Sequence, residues 1–183
     1  FYLLMDERQL DALIHMVVPN RLTGAVRGVL EKIGGRAGGW VRGQLLVSFI
    51  IGFVTLLVFS IIGVPYALTL AVIAGILEIL PIIGPIVAAG VAFLVVIGTG
   101  SWGLALATII ASILIQQLEN NFVVPKVMEK TVGLSPAVVI VALLVGGALA
   151  GVPGAILAVP IAAGVDVLVD EWPKVRDALE SSA

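Results

Sequence analysis

The sequence predicts an all-α, polytopic membrane protein with Pro/Gly-broken or re-entrant helices, preceded by short amphipathic cytoplasmic helices. Three observations predict it. Residues 43–77, 79–118 and 131–165 contain no Asp, Glu, Lys or Arg. Only 12% of the chain is charged and 60% is hydrophobic, where a soluble domain carries roughly a quarter charged residues. Pro and Gly gather at Pro81–Pro85 and again at Gly151–Pro153, and short broken helices in corresponding positions point to a transporter's central site. The net charge of −2 says little, because six of the ten Lys and Arg precede residue 43. With no Cys, disulfides, thiolate metal sites and cysteine nucleophiles are excluded.

Residues 1–42 form the first region. Phe1 to Met5, followed by Asp6-Glu7-Arg8, reads as the tail of a membrane helix reaching water, so the chain is expected to be the C-terminal part of a longer protein. Leu10, Leu13, Ile14, Val17 and Val18 sit at helical spacing up to Pro19. Leu22, Val26, Val29, Leu30 and Ile33 share a second face, which predicts two short amphipathic helices on or under the membrane. His15, beside Ile14 and Met16, reads as a surface residue. Gly34 to Gly39, interrupted by Arg36 and Ala37, is expected as a hinge, with Trp40 and Arg42 at the bilayer interface. The excess of Arg and Lys puts this end in the cytoplasm.

Residues 43–165 are the expected transport domain. Gly43 to Val64 is long enough at about 1.5 Å per residue to cross a core of roughly 30 Å. The pieces from Pro65 to Leu80 and from Ile86 to Ile97 are shorter. Two prolines and a glycine within Pro81–Pro85 would strand backbone groups in lipid-facing helix, so a hairpin turning there is the economical reading. Trp102 to Gln117 crosses again, and residues 119–136 are expected as a polar loop. Ala137–Leu149 and Ala155–Val165 repeat the broken pattern around Gly151-Val152-Pro153-Gly154. Residues 166–183 form an acidic amphipathic tail expected in the cytoplasm.

Glu78 is the sharpest candidate site. It adjoins the Pro81–Pro85 break, with no charge for 35 residues before it and 40 after. An ionised carboxylate at membrane depth costs several kcal/mol, so it should be protonated or paired. Gln116, Gln117, Glu119 and Asn121 form the densest polar cluster of the apolar half. Amides both donate and accept, which suits a polar solute or a sodium ion. Pro81, Gly84 and Pro85 complete the expected pathway. A helix end touching headgroups or cytoplasm is the plainer reading of both places. Gly98 to Gly103 matches G-x-G-x-x-G, but Leu104–Ile115 has no polar face, so a dinucleotide site fails its context. Gly147 and Gly151 are spaced for close helix contact, a spacing common among 21 glycines. Phosphate-loop, H-E-x-x-H and G-x-S-x-G motifs are absent. No enzyme, cofactor, metal or nucleic-acid chemistry is therefore expected.

Gly63-Val64-Pro65-Tyr66-Ala67-Leu68 and Ile79 through Pro85 resemble the signature of the autoinducer-2 exporter family of bacterial permeases. Arg42-Gly43-Gln44, Gln117, Glu119, Asn121, Pro125, Gly133-Leu134-Ser135-Pro136, Gly147, Gly151, Gly154 and Ala158-Val159-Pro160 continue the resemblance in order. Asn120 departs from it, since the family usually has Gly there. The resemblance implies a multi-pass inner-membrane transporter with a further N-terminal half, assembled as a homo-oligomer, a pentamer. It also implies export of small signalling molecules or sodium/proton exchange. The expected function is movement of a small polar solute, with sodium or protons as candidate coupling ions. A sodium/proton antiporter is the first alternative, and a non-transporting membrane scaffold or regulator the second.

Overall fold

A computed structural model describes residues 23–128 and 134–180, all of it helix and connecting turn. Six α-helices follow in order: α1 Thr23–Ile62, α2 Ala67–Leu77, α3 Ile83–Ile97, α4 Trp102–Leu118, α5 Val124–Met128 and α6 Pro136–Glu180. A π-helical turn, Glu119–Val123, joins α4 to α5. Three of these stretches are long and apolar enough to cross a membrane: Val26–Ile62, Trp102–Val127 and Ala137–Pro173. The described residues fall into two compact units, one from residue 42 to 128 and one joining 23–41 with 134–180. The expectations for Phe1–Met5, the first amphipathic helix, His15 and Gly133 lie outside the described residues.

In the first unit the exterior is apolar, and polar side chains are buried among the apolar ones of the core. Phe49 is 72% exposed and Ile61 82%, while Glu78 is 1% exposed and the largest of the fully buried side chains. Water would penalise that arrangement, whereas lipid tails are as apolar as a protein core, so packing and polar contacts decide the inside. α1 and α2 run close at two glycines. A Cβ on Gly75 would lie 3.1 Å from the Ser48 carbonyl oxygen, and one on Gly52 would lie 3.3 Å from that of Ala71. α2 has 11 residues, about 17 Å at the helical rise, well short of a bilayer core.

The turn after α2 follows from its prolines. Pro81 cannot donate a backbone hydrogen bond, and Ile82 takes φ 72°, a conformation costly for a branched residue. The chain then doubles back, with Ile83 N–H on the Pro81 carbonyl at 2.8 Å and Gly84 N–H on that of Leu80 at 2.8 Å. A Cβ on Gly84 would stand 2.0 Å from the Leu77 oxygen. Only glycine closes this turn.

In the second unit α6 is broken at Ala150 (φ −140°) and Gly151 (φ 61°, ψ −142°). The break falls just before the expected Gly151–Pro153, because Pro153 sits in the opening turn of the next arm, where its missing N–H goes unmissed. A Cβ on Gly154 would lie 2.0 Å from the Gly146 oxygen. Residues eight apart on a straight helix are about 12 Å apart along the axis, so the two arms fold back on each other. In the same unit Arg36 pairs with Asp166 at 2.5 Å and Asp170 at 3.4 Å, and Lys32 with Glu171 at 2.6 Å.

Three boundaries differ from expectation. Gly34 to Gly39 is wound into α1 where a hinge was expected, and the second amphipathic helix is continuous with the crossing. Glycine costs about 1 kcal/mol per helical position relative to Ala, but Lys32 and Arg36 anchor this stretch and Ile33 lies 3.3 Å from the Cβ site of Gly164. Residues 119–128, expected within a loop, are helical. Asp166 onward continues α6 as helix to Glu180. Trp40, expected at the interface, is buried.

Candidate functional site

Every polar side chain of the site comes from a helix of the first unit. On α1, Gln44, Ser48 and Thr55 are all buried, and their spacings of four and seven place them on one face. On α4, Thr108, Ser112 and Gln116 recur every fourth residue. The hydroxyls of Thr108 and Ser112 donate to the carbonyls of Leu104 at 2.8 Å and Thr108 at 2.9 Å. Glu119 then opens the π turn and is 5% exposed. A π turn inserts an extra residue per turn and often marks a functional position. Pro125 favours it by removing a donor from the ladder.

Glu78 is the C-cap of α2. Its side chain and that of Glu119 line the same cavity. Gln116 Nε2 donates to Glu119 Oε2 at 3.0 Å. The Oε1 atom of Glu78 is buried and has no hydrogen-bond partner, as is Ser48 Oγ. Glu78, Glu119 and Gln116 border a partly open cavity of about 30 Å³, walled otherwise by Ile51, Phe59, Leu70, Ala74, Pro85, Ala88, Ala89 and Ile115, with Thr55 and Ser112 beside them. One water needs about 10–15 Å³ of such space and several polar partners. The cavity therefore has room for a water or two, or a bare small cation.

Of the residues expected from the sequence, Glu78, Pro85, Gln116 and Glu119 meet at this cavity. Pro81 and Gly84 shape the turn beneath it without lining it. Gln117 and Asn121 stand apart, exposed and bonded to each other: Asn121 Nδ2 donates to the Gln117 carbonyl at 2.7 Å and to Gln117 Oε1 at 3.3 Å. The amide cluster thus divides between two sides of one helix. Gln44, Thr55 and Ser112 were not singled out as site residues. Their signal was present as polar residues at helical spacing inside apolar runs. No group of three or more His, Asp or Glu gathers for a metal among the described residues.

The family model described as AI-2E family transporter matches residues 1–174. YrrI of Bacillus subtilis, named as a transport protein, is 31% identical over 176 residues, 96% of this chain and 50% of YrrI. PerM of Escherichia coli K12, named as a permease, is 31% identical over 178 residues, 94% of this chain and 49% of PerM. A Mycobacterium tuberculosis protein named as a transport protein, MT0215, is 36% identical over 137 residues, 72% of this chain and 37% of its own. The chain spans about half the length of YrrI and PerM, at 50% and 49%. No solved structure matches it.

Proposed function

The chain belongs to the AI-2E transporter family, and from that membership we propose that Glu78 and Glu119 form the ion site of an ion-coupled transporter. One observation carries the reading: two carboxyl groups far apart in sequence line one small cavity, with Glu78 Oε1 buried and unpartnered. Two like charges at such a place repel strongly in a low dielectric. A proton shared between them, or a dehydrated monovalent cation, relieves that repulsion. Gln116 fixes one face of the Glu119 carboxyl and leaves the other toward Glu78.

The cargo is a small polar solute such as a signalling molecule, and it passes through space other than the 30 Å³ cavity. The protein acts in the bacterial inner membrane, with the basic segment up to Arg42 and the acidic end of α6 on the cytoplasmic side, as a homo-oligomer, a pentamer. Reconstitution of the longest form into liposomes tests the ion site. Proton movement under imposed sodium and potassium gradients should depend on Glu78 and fall by roughly 100-fold in Glu78→Gln. Unaltered flux in a well-assembled Glu78→Gln oligomer would remove the site from the mechanism. A second reading is a sodium/proton antiporter, which would give sodium-dependent proton flux with no organic solute present.

A further inference from the structure

α2 ends at a break, and the carbonyl of Glu78 loses the partner a continuing helix would supply. That partner would be the N–H of Ile82, which φ 72° turns out of the helix. The carbonyl is nonetheless satisfied: Gln44 Nε2, on α1, donates to it at 2.5 Å in a buried setting. Register brings the two together. α1 and α2 run antiparallel, with Gly52 against Ala71 and Ser48 against Gly75, so that Gln44, one turn before Ser48, reaches the level of Glu78. The absence of side chains at Gly52 and Gly75 brings the backbones close enough for one glutamine to span the gap.

We propose that Gln44 is the positioning residue of the carboxyl site, holding the end of α2 so that the Glu78 side chain points at Glu119. An unmet carbonyl in this setting would draw water or a different helix end, and either would re-aim Glu78. Ser48, one turn along the same face, has a buried hydroxyl with no partner. It lies on the face of Gln44 without its hydrogen bond, which makes it the matched control. Glu119 is the titratable group that faces Glu78; α1 and α3 present only neutral side chains there.

This inference rests on the ion-site reading, and its test has a readout independent of transport. A membrane-permeant carbodiimide labels protonated carboxyls, and mass spectrometry of the purified oligomer reports the adduct on Glu78 as a function of pH. In Gln44→Leu the labelling rate of Glu78 should change by roughly fivefold, the scale of one lost buried hydrogen bond, and its pH profile should move. Ser48→Ala should label like the unsubstituted protein. Circular dichroism and oligomer size in detergent verify that Gln44→Leu is folded. If it does not fold, Gln44→Asn, too short to reach, is measured instead with the same expectation. A Gln44→Leu protein that folds and labels like the unsubstituted one overturns the proposal, even where flux depends on Glu78. Altered labelling in a protein with no ion flux upholds the positioning role and overturns the ion-transport reading alone.

Discussion

The turn at Pro81–Pro85 and the break at Ala150–Gly151 solve the same steric problem with different surroundings. Both let two apolar arms fold back through a glycine that tolerates no Cβ, Gly84 against Leu77 and Gly154 against Gly146. The first turn ends a helix on Glu78 and places that carboxyl in the cavity that Glu119 also lines. The second lies within residues 131–165, which carry no charge, and its arms bury Leu143, Ala155, Ala158, Val159 and Ala163. A broken helix is thus a way to fold. It becomes a site only where a polar group is placed at the break and another element answers it.

Substitutions at the two glycines give the largest expected effect. Gly84→Ala and Gly154→Ala should each destabilise the protein by about 3 kcal/mol through overpacking against backbone, read as thermal unfolding in detergent. If the comparison holds, carbodiimide labelling of Glu78 is altered in Gly84→Ala and spared in whatever Gly154→Ala protein folds. Equal damage to labelling by both would erase the distinction.

Next come the carboxyls. Glu78→Gln and Glu119→Gln should each lower ion-coupled flux by roughly 100-fold, the scale of a lost proton-transferring group, with oligomer size unchanged. Because the residues act as a pair, the double variant should lose no more than the worse single one. Additive losses would mean two separate sites.

Smaller effects are expected at the helix contact that sets the reach of Gln44. Gly75→Ala, whose Cβ would lie 3.1 Å from a backbone oxygen, should cost about 1 kcal/mol and shift Glu78 labelling in the direction of Gln44→Leu. Smallest is Arg36→Gln. It removes half-exposed ion pairs to Asp166 and Asp170, worth up to about 1 kcal/mol, and the loss should shrink further in high salt.

Much of this architecture was legible along the chain. Charge-free runs identify membrane helices because a bilayer core tolerates almost nothing else, and Pro81, Pro85, Gly151 and Pro153 mark breaks because the backbone bonds lost there must be met some other way. Glu78 stood out for the same reason. Helix continuity was less legible. Glycine lowers helical propensity by a small amount per residue, which packing and the Arg36 and Lys32 ion pairs outweigh in Gly34–Gly39. The amide cluster was read as one group, yet helical rotation sends Gln116 and Glu119 inward and Gln117 and Asn121 outward.

Composition and local pattern by themselves determined that this protein lives in a membrane, is helical, and breaks near Glu78. Tertiary structure alone decided that Glu78 and Glu119 border one cavity and that Gln44 donates to the carbonyl at the broken helix end. The physical reason is range: hydropathy and propensity act over a few residues, whereas a pairing across separate helices depends on how closely glycines let their backbones approach.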